Sequence, residues 1–161
     1  MKTKSATTVQ SPLIPLWLKM AYTAFLAVMI PVYWANYGPT NFLYFCDVAL
    51  LLTLAGVWRE DALLISLPAV GILLPQALWC TDFLFQLFGG KMTGMTSYMF
   101  DGNRSLFLRG LSSFHGWLPF LLIYLVRQTG YDRRALAGWT LTAMALCLAS
   151  YFFLPPAGAV L

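Results

Sequence analysis

The sequence predicts an all-α membrane protein, a polytopic bundle of five transmembrane helices with the N-terminus in the cytoplasm and the C-terminus outside. Hydrophobic residues make up 60% of the 161 residues and charged residues only 10%, whereas about 25% of the residues in a soluble globular protein are charged. Five apolar stretches are long enough to cross a bilayer, and basic residues gather at one set of their ends. Water is therefore not the main solvent of this chain.

The first apolar stretch follows Lys2 and Lys4, and a secretory signal peptide is the alternative interpretation of this segment. The stretch runs from Pro15 to Trp34, about the 20 residues that a bilayer core requires, and it has no small-residue cleavage pattern. We therefore predict an uncleaved first span. Turn residues and charged residues separate the stretches, which gives spans over residues 15–34, 42–58, 62–80, 105–126 and 135–154 within one transmembrane domain, residues 1–161.

The third apolar stretch continues past residue 80, because apolar residues extend to Phe88 with two prolines and Asp82 among them. One tilted helix of about 27 residues, or a span followed by a short helix on the outer surface, would fit this pattern. We predict the second arrangement, with an interfacial helix over residues 81–89.

Lys and Arg set the orientation, because they accumulate in cytoplasmic loops. Aromatic residues that anchor helix ends in the interface, such as Trp17 and Trp34, agree with the same topology. We therefore predict an integral protein of the bacterial cytoplasmic (inner) membrane, with membrane lipids as partners and no nucleic acid, since the basic residues form no stripe. The inner basic residues are Lys2, Lys4, Lys19, Arg59, Arg127, Arg133 and Arg134, and the outer ones are Lys91, Arg104 and Arg109.

Ionisable residues within a span are costly to insert and usually turn toward the bundle. Asp47 lies about 8 Å below the outer end of its predicted span and Arg109 about 6 Å below the end of another, so the two can pair. Such a pair leaves spare donors on Arg109 for a carboxylate, phosphate or ester oxygen of a ligand. A purely structural pair, or an Arg109 that reaches the outer headgroups, is the alternative. Asp82 could replace Asp47 as the partner or face water.

His115 is the single histidine and lies about 15 Å below the outer end of its predicted helix. Ser112, Gly116 and Pro119 surround it with a kinked patch of small residues that a ligand or a helix can approach. We expect either a neutral histidine bonded between helices or a general base. Gln76 follows Pro75 and is the expected partner of His115, because its amide can bond the backbone carbonyl that the proline frees. This role is structural as readily as functional.

The three cysteines, Cys46, Cys80 and Cys147, all lie in apolar segments without metal-ligand spacing. We therefore predict no disulfide framework, no metal site and no cofactor. Cys46 precedes Asp47, and with His115 it would form a thiol and imidazole pair for acyl transfer. Their estimated depths of about 6 and 15 Å argue against direct contact, and a buried cysteine that only fills space is the alternative.

Two short segments resemble known families. Asn41 to Leu51, NFLYFCDVALL, and Ser112 to Pro119, SSFHGWLP, look like segments of a group of bacterial integral membrane proteins without an assigned activity. The cysteine early in one span and the Ser-x-His-Gly end of another, here Ser113 to Gly116, also resemble the YwaF-type membrane family, which is related to fatty-acyl hydrolases and transferases. That resemblance implies Cys46 as nucleophile and His115 as its base, although Tyr44-Phe45 stands here where the family has a His-Leu pair.

Three function classes remain open after the sequence. The chain could be a membrane enzyme acting on a lipid or apolar ester, with catalytic His115 and Cys46 and with Arg109, Asp47, Gln76, Ser112 and Asp82 binding the ligand. It could instead bind or transport a small amphiphile in the same outward-facing site. The third class is a non-catalytic subunit of a larger membrane complex or a homo-oligomer, in which the small residues of the fifth span, from Ala135 to Ala149, contact a partner.

Overall fold

The structure, a computed structural model, describes residues 12–153, so that Lys2, Lys4 and the predicted end of the fifth span at residue 154 lie outside the described residues. It is all-α, as the sequence predicts, and no strand occurs within residues 12–153. Short 3₁₀ segments cover Pro39–Leu43 and Ser97–Met99. The helices are α1 (Leu16–Tyr37), α2 (Phe45–Arg59), α3 (Ala62–Leu87), α4 (Leu106–Ser112), α5 (Phe114–Thr129) and α6 (Ala135–Phe153).

Local chemistry sets the ends of several helices. Helix α1 begins directly after Pro15 and stops at Gly38, whose φ of 76° suits a residue without a Cβ. The carboxylate of Asp61 caps α3 by accepting the N–H of Leu64 at 2.8 Å. Helix α5 stops at Gly130, where φ is 87°. These turn and cap residues explain why the breaks fall close to those expected from the sequence.

Four helical stretches are long and apolar enough to cross a membrane: Leu16–Tyr37, Ala62–Leu87, Leu106–Thr129 and Ala135–Phe153. Helix α2 has only 15 residues, which is about 22 Å at 1.5 Å per residue and shorter than a bilayer core of about 30 Å. The predicted second span starts at residue 42, but α2 begins at Phe45 because the preceding residues form the 3₁₀ turn.

Helix α3 is continuous over 26 residues, although it contains Pro68 and Pro75. Residues 81–87 continue this helix and do not form the separate interfacial helix that the sequence predicts. A proline inside a membrane helix is tolerated where neighbouring helices surround it, and Pro68 is buried in the bundle. The polar Asp82 does not end the helix because the following loop supplies its hydrogen-bond donors.

The predicted fourth span is interrupted at Ser113, which separates α4 from α5. There the N–H groups of Ser113 and Gly116 bond carbonyls three residues earlier, at 3.2 and 2.9 Å, instead of four. The carbonyl of Ser112 is thereby freed from the helix ladder. No glycine or proline occupies residue 113 itself, so the kinked patch predicted around His115 does not indicate the position of this break.

Helix α3 lies at the centre of the bundle and packs against α2, α5 and α6. Gly71 lets α3 pack closely against α6, because a Cβ on Gly71 would lie 1.8 Å from the ring of Trp139. Gly138 of α6 packs against Leu67 of α3 in the same way, because a Cβ on Gly138 would lie 2.7 Å from the Leu67 side chain. Most of the other side chains of α6 remain exposed, including Leu136, Leu141 and Leu148.

One end of the bundle is held by a group of contacts that we call the clasp, formed by Leu13, Ile14, Lys19 and Glu60. The Glu60 carboxylate accepts the N–H groups of Leu13 and Ile14 at 3.0 and 3.2 Å and the Lys19 Nζ at 2.8 Å. Hydrogen bonding from Lys19 lowers the pKa of Glu60 below its ordinary value. The clasp ties the start of α1 to the end of α2, so these two helices run antiparallel.

Candidate functional site

The loop of residues 88–105 folds over the other end of the bundle around Asp82. Its Oδ1 accepts the N–H groups of Thr93 and Gly94 at 2.7 and 3.0 Å. Its Oδ2 accepts the N–H and the hydroxyl of Thr96 at 2.9 and 2.7 Å. Asp82 is 0% exposed, so the expectation that it faces water or pairs with Arg109 is wrong. Its carboxylate holds the loop in place.

Beneath this loop lies a cavity of about 550 Å³, which we call the apolar cavity. The start of α2, the middle of α3 and the last turns of α6 form its walls. The side chain of Met95 lines the cavity from the loop. Its size lies within the range of about 300–1,000 Å³ that small-molecule sites occupy. The lining residues are Leu43, Tyr44, Phe45, Cys46, Gly71, Ile72, Pro75, Gln76, Trp79, Met95, His115, Leu146, Cys147 and Ser150.

Gln76 is the most unusual residue of the apolar cavity. It is 3% exposed, and neither its Nε2 nor its Oε1 has a hydrogen-bond partner among the described residues. The predicted bond to a carbonyl freed by Pro75 is therefore wrong. A buried amide without partners costs about 1–3 kcal/mol for each unsatisfied group, so the position of Gln76 calls for an explanation.

A second cavity of about 410 Å³, which we call the tyrosine cavity, adjoins the first. Asp47 lines it and is 2% exposed. The Oδ2 of Asp47 accepts the Asn41 Nδ2 at 3.1 Å, whereas its Oδ1 has no partner among the described residues. The lining residues are Tyr33, Tyr37, Asn41, Tyr44, Cys46, Asp47, Tyr98, Arg104, Ser112, Phe114 and His115.

Asp47 and Arg109 do not pair, so the predicted ion pair is wrong. The Nη1 of Arg109 donates to the Met99 carbonyl of the loop at 3.0 Å, and its Nε is buried without a partner among the described residues. Arg109 lines neither of the two cavities. Arg109 lies on the short helix α4, before the break at Ser113, and its side chain contacts the loop at Met99 and not Asp47.

His115 replaces the hydrogen bond that the Ser112 carbonyl loses at the break between α4 and α5. Its Nδ1 lies 2.9 Å from the freed carbonyl of Ser112. Because a carbonyl only accepts, Nδ1 carries the proton and Nε2 has the free lone pair of the neutral ring. The ring stacks between Phe114 and Trp79, with centroids at 4.0 and 5.3 Å. His115 thus has a structural role through Nδ1 and an unused acceptor in Nε2.

The carbonyl of His115 is also engaged. Pro119, four residues later, has no N–H to donate to it. The Sγ of Cys80 on α3 lies 3.7 Å from this carbonyl and takes the place of that donor. Cys80 therefore joins α3 to α5 at the proline, which is a structural use that its position in the sequence does not reveal.

Cys46 and His115 lie closer together than their estimated depths suggest, because both line both cavities. No hydrogen bond joins the two side chains in the described part of the chain. The thiol of Cys46 instead lies 4.0 Å from the Oδ2 of Asp47. Ser112 lines the tyrosine cavity beside them, with its hydroxyl 2.7 Å from that of Tyr33.

The tyrosines are the residues that reasoning from the sequence missed. Tyr33 and Tyr37 are four residues apart on α1, a spacing that places both on one helix face. That spacing is the signal that could have identified them. Tyr44 and Tyr98 come from a turn and from the loop, where no periodicity applies. Tyr98 is fixed by Trp79, whose Nε1 donates to its hydroxyl at 3.2 Å, and burial raises its pKa.

The fold and its cavities define a helical bundle with four helices suited to a membrane and two adjoining cavities at one end. Comparison with protein-family models, with curated proteins and with solved structures found no match to the chain. Within residues 12–153, no group of three or more His, Cys, Asp or Glu side chains could hold a metal ion. The function is therefore inferred from the two cavities.

Proposed function

We propose that this chain is an integral membrane protein that binds a small amphiphilic molecule in the apolar cavity. The observation that carries the proposal is Gln76, a buried amide in the cavity wall with both of its polar atoms unpartnered. An apolar site with a few polar groups that fix orientation is typical of small-molecule binding. The cavity supplies the apolar surface, and Gln76 supplies the polar contact.

The amide of Gln76 also restricts the polar group of the ligand. Its Nε2 donates and its Oε1 accepts, so one ligand group that both accepts and donates satisfies both atoms. A hydroxyl, a neutral carboxyl or an amide group has this property. The free Nε2 lone pair of His115, in the same cavity, favours a ligand with a further donor. An alkane or a simple ester has no hydrogen-bond donor, so it satisfies neither the Oε1 of Gln76 nor the Nε2 of His115.

In the membrane we propose five crossings, with the N-terminus inside and the C-terminus outside. The clasp ties the start of α1 to the end of α2, and the Asp132 N–H donates to Ser66 of α3 at 3.0 Å. The start of α1 and the connections α2–α3 and α5–α6 therefore share one end. Of the described basic residues, Lys19, Arg59, Arg127, Arg133 and Arg134 lie near that end, which supports a cytoplasmic placement.

The proposal is tested by photolabelling the purified chain in dodecyl maltoside with a long-chain alcohol that carries a diazirine and an alkyne. Unlabelled dodecanol should compete and dodecane should not. Gln76→Leu keeps the size of the side chain but removes both polar atoms, so we expect about tenfold weaker labelling. Gln128→Leu is the matched control, since Gln128 is exposed at the end of α5. Equal labelling of wild type and Gln76→Leu would contradict the proposal.

Acyl transfer is the second candidate function, because Cys46 and His115 line the same two cavities. In this reaction the Nε2 of His115 takes the thiol proton, the Cys46 sulfur attacks an ester carbonyl, and the departing alcohol receives the proton. A lipophilic thiol-reactive probe in native membranes tests it. Labelling of Cys46 that disappears in His115→Ala but persists in Cys147→Ala, another cysteine of the apolar cavity, would support the reaction. Undiminished labelling in His115→Ala would exclude it.

A further inference from the structure

We propose that the tyrosine cavity is a second ligand site, which binds an organic ammonium group at Asp47. This proposal is independent of the amphiphile site in the apolar cavity, because its evidence is the surroundings of Asp47 and the tyrosines and not Gln76. The ligand chemistry is a positively charged nitrogen carrying small alkyl groups. Such a group belongs either to a free solute or to the headgroup of a lipid.

The first step is the incomplete bonding of Asp47. Its carboxylate is 2% exposed, and Oδ2 has one nitrogen donor, Asn41, while Oδ1 has none among the described residues. No Lys or Arg pairs with it: the ion pairs within residues 12–153 join Lys19 to Glu60, Arg104 to Asp101 and Arg134 to Asp132. Buried carboxylates are normally paired or fully bonded, so the spare acceptor capacity of Asp47 suits a cationic group of a ligand.

The second step is the chemistry of the cavity around Asp47. The cavity includes Tyr33, Tyr37, Tyr44 and Tyr98. Aromatic rings attract cations through their faces, and rings grouped around one space bind quaternary ammonium ions. Arg104 gives a direct example here, because its guanidinium carbon lies 5.8 Å from the centroid of the Tyr98 ring.

The third step separates an organic cation from a metal ion. A calcium ion takes six to eight oxygen ligands and a magnesium ion demands a near-octahedral set, and the described residues offer no group of three His, Cys, Asp or Glu side chains that could hold a metal ion. The volume of about 410 Å³ instead accommodates a polyatomic group. An alkylated ammonium is also weakly hydrated, so it loses less on leaving water than a metal ion does.

Arg104 is the one cationic side chain that lines this cavity. Its Nε lies 3.9 Å from the Asp101 carboxylate, and 47% of its side chain is exposed. It therefore belongs to the rim, where Asp101 offsets part of its charge. The charge of Arg104 still opposes a second cation, so its removal should strengthen binding of the ligand.

The test is isothermal titration of the full chain in dodecyl maltoside with choline, compared with its neutral isostere 3,3-dimethylbutan-1-ol. The two probes share a shape and differ in charge. We expect choline to bind at least tenfold more tightly than the isostere. Asp47→Asn should weaken choline binding at least tenfold and leave the isostere unchanged. Asp101→Asn is the matched control: it removes a rim carboxylate that offsets Arg104, so it should weaken choline binding far less than Asp47→Asn.

Equal binding of choline and the isostere, or no binding of choline, would overturn the proposal in the wild-type chain without recourse to any variant. Loss of choline binding in Arg104→Gln would also overturn it, since that variant should bind at least as well. A short-chain phosphatidylcholine distinguishes the two sources of the cation. Tighter binding of this lipid than of choline assigns the site to a headgroup, and the reverse assigns it to a free solute.

Discussion

Two buried carboxylates at the same end of the bundle have opposite surroundings. Asp82 lies under the loop of residues 88–105 and receives four donors, three of them backbone N–H groups. Asp47 lies beside the tyrosine cavity and receives one nitrogen donor, from Asn41. Both are at least 98% buried, with exposures of 0% and 2%. Both side chains are therefore hidden from solvent, but they differ in the number of donors that they receive.

The difference separates a structural acid from a candidate ligand acid. A carboxylate that accepts several N–H bonds stabilises the segment that donates them, and the donors of Asp82 all come from one stretch, residues 93–96. At Asp47 the chain supplies no such stretch and leaves a cavity instead. The clasp carboxylate, Glu60, belongs with Asp82, because Leu13, Ile14 and Lys19 bind it.

The largest effect is expected at Asp82. Asp82→Asn replaces one acceptor oxygen by an N–H₂ that faces donors, so we expect the free energy of unfolding to fall by about 3 kcal/mol. Unfolding by SDS in dodecyl maltoside measures this change. Chymotrypsin should also cleave the loop near Tyr98 faster than in wild type.

Asp101→Asn is the control for Asp82, because Asp101 lies in the same loop but has fewer partners. Its carboxylate accepts the Asn103 N–H at 2.9 Å and lies 3.9 Å from the Arg104 Nε at the rim of the tyrosine cavity. We expect a loss below about 0.5 kcal/mol. Similar losses in the two variants would mean that Asp82 does not organise the loop, and the contrast with Asp47 would disappear.

A smaller effect is expected at the clasp, and it depends on pH. The pKa of Glu60 is lowered below 4.5 in the folded chain, first by the hydrogen bond from Lys19. Its contribution is therefore complete above the unfolded pKa and is lost as pH falls through the folded value. Glu60→Gln should reduce stability at pH 7 by about 1 kcal/mol. The difference between wild type and variant should vanish in acid, and a constant difference from pH 7 to 3 would contradict the clasp.

The smallest effect on stability is expected at Asp47. Asp47→Asn removes a buried, half-bonded carboxylate while an amide oxygen can still accept from Asn41, so stability should change by less than about 1 kcal/mol or rise. The same SDS unfolding assay measures it. A loss as large as that of Asp82→Asn would show that Asp47 is a structural acid, and it would remove the distinction between the two sites.

Much of the fold could be predicted from hydropathy and turn residues. The breaks at Gly38 and Gly130 carry glycine at positive φ. Apolar length predicted five spans, and four of them correspond to long apolar helical stretches. Helix α3 was harder, because Pro68 and Pro75 normally end a helix and only the neighbouring helices explain its continuity. A kink near His115 was predicted from Gly116 and Pro119, but its position at Ser113 could not be, since neither glycine nor proline occupies that residue.

The candidate site could be predicted in part. Polar residues at membrane depth were the signal for Asp47, Gln76 and His115, and the structure places all three on the two cavities. Their partners could not be predicted, because hydrogen bonding depends on segments far apart in the chain. The Met99 carbonyl that binds Arg109 lies in a loop with no periodic pattern.

The anchoring of the loop also restrains one wall of the apolar cavity. Met95 lies over the apolar cavity between Gly94 and Thr96, whose N–H groups both bind Asp82. Met95 can leave this side of the cavity only when these hydrogen bonds open. The amide proton of Thr96, which is fully buried, exchanges with solvent through the same opening. Its exchange rate therefore reports how often Met95 is free to leave the wall of the cavity.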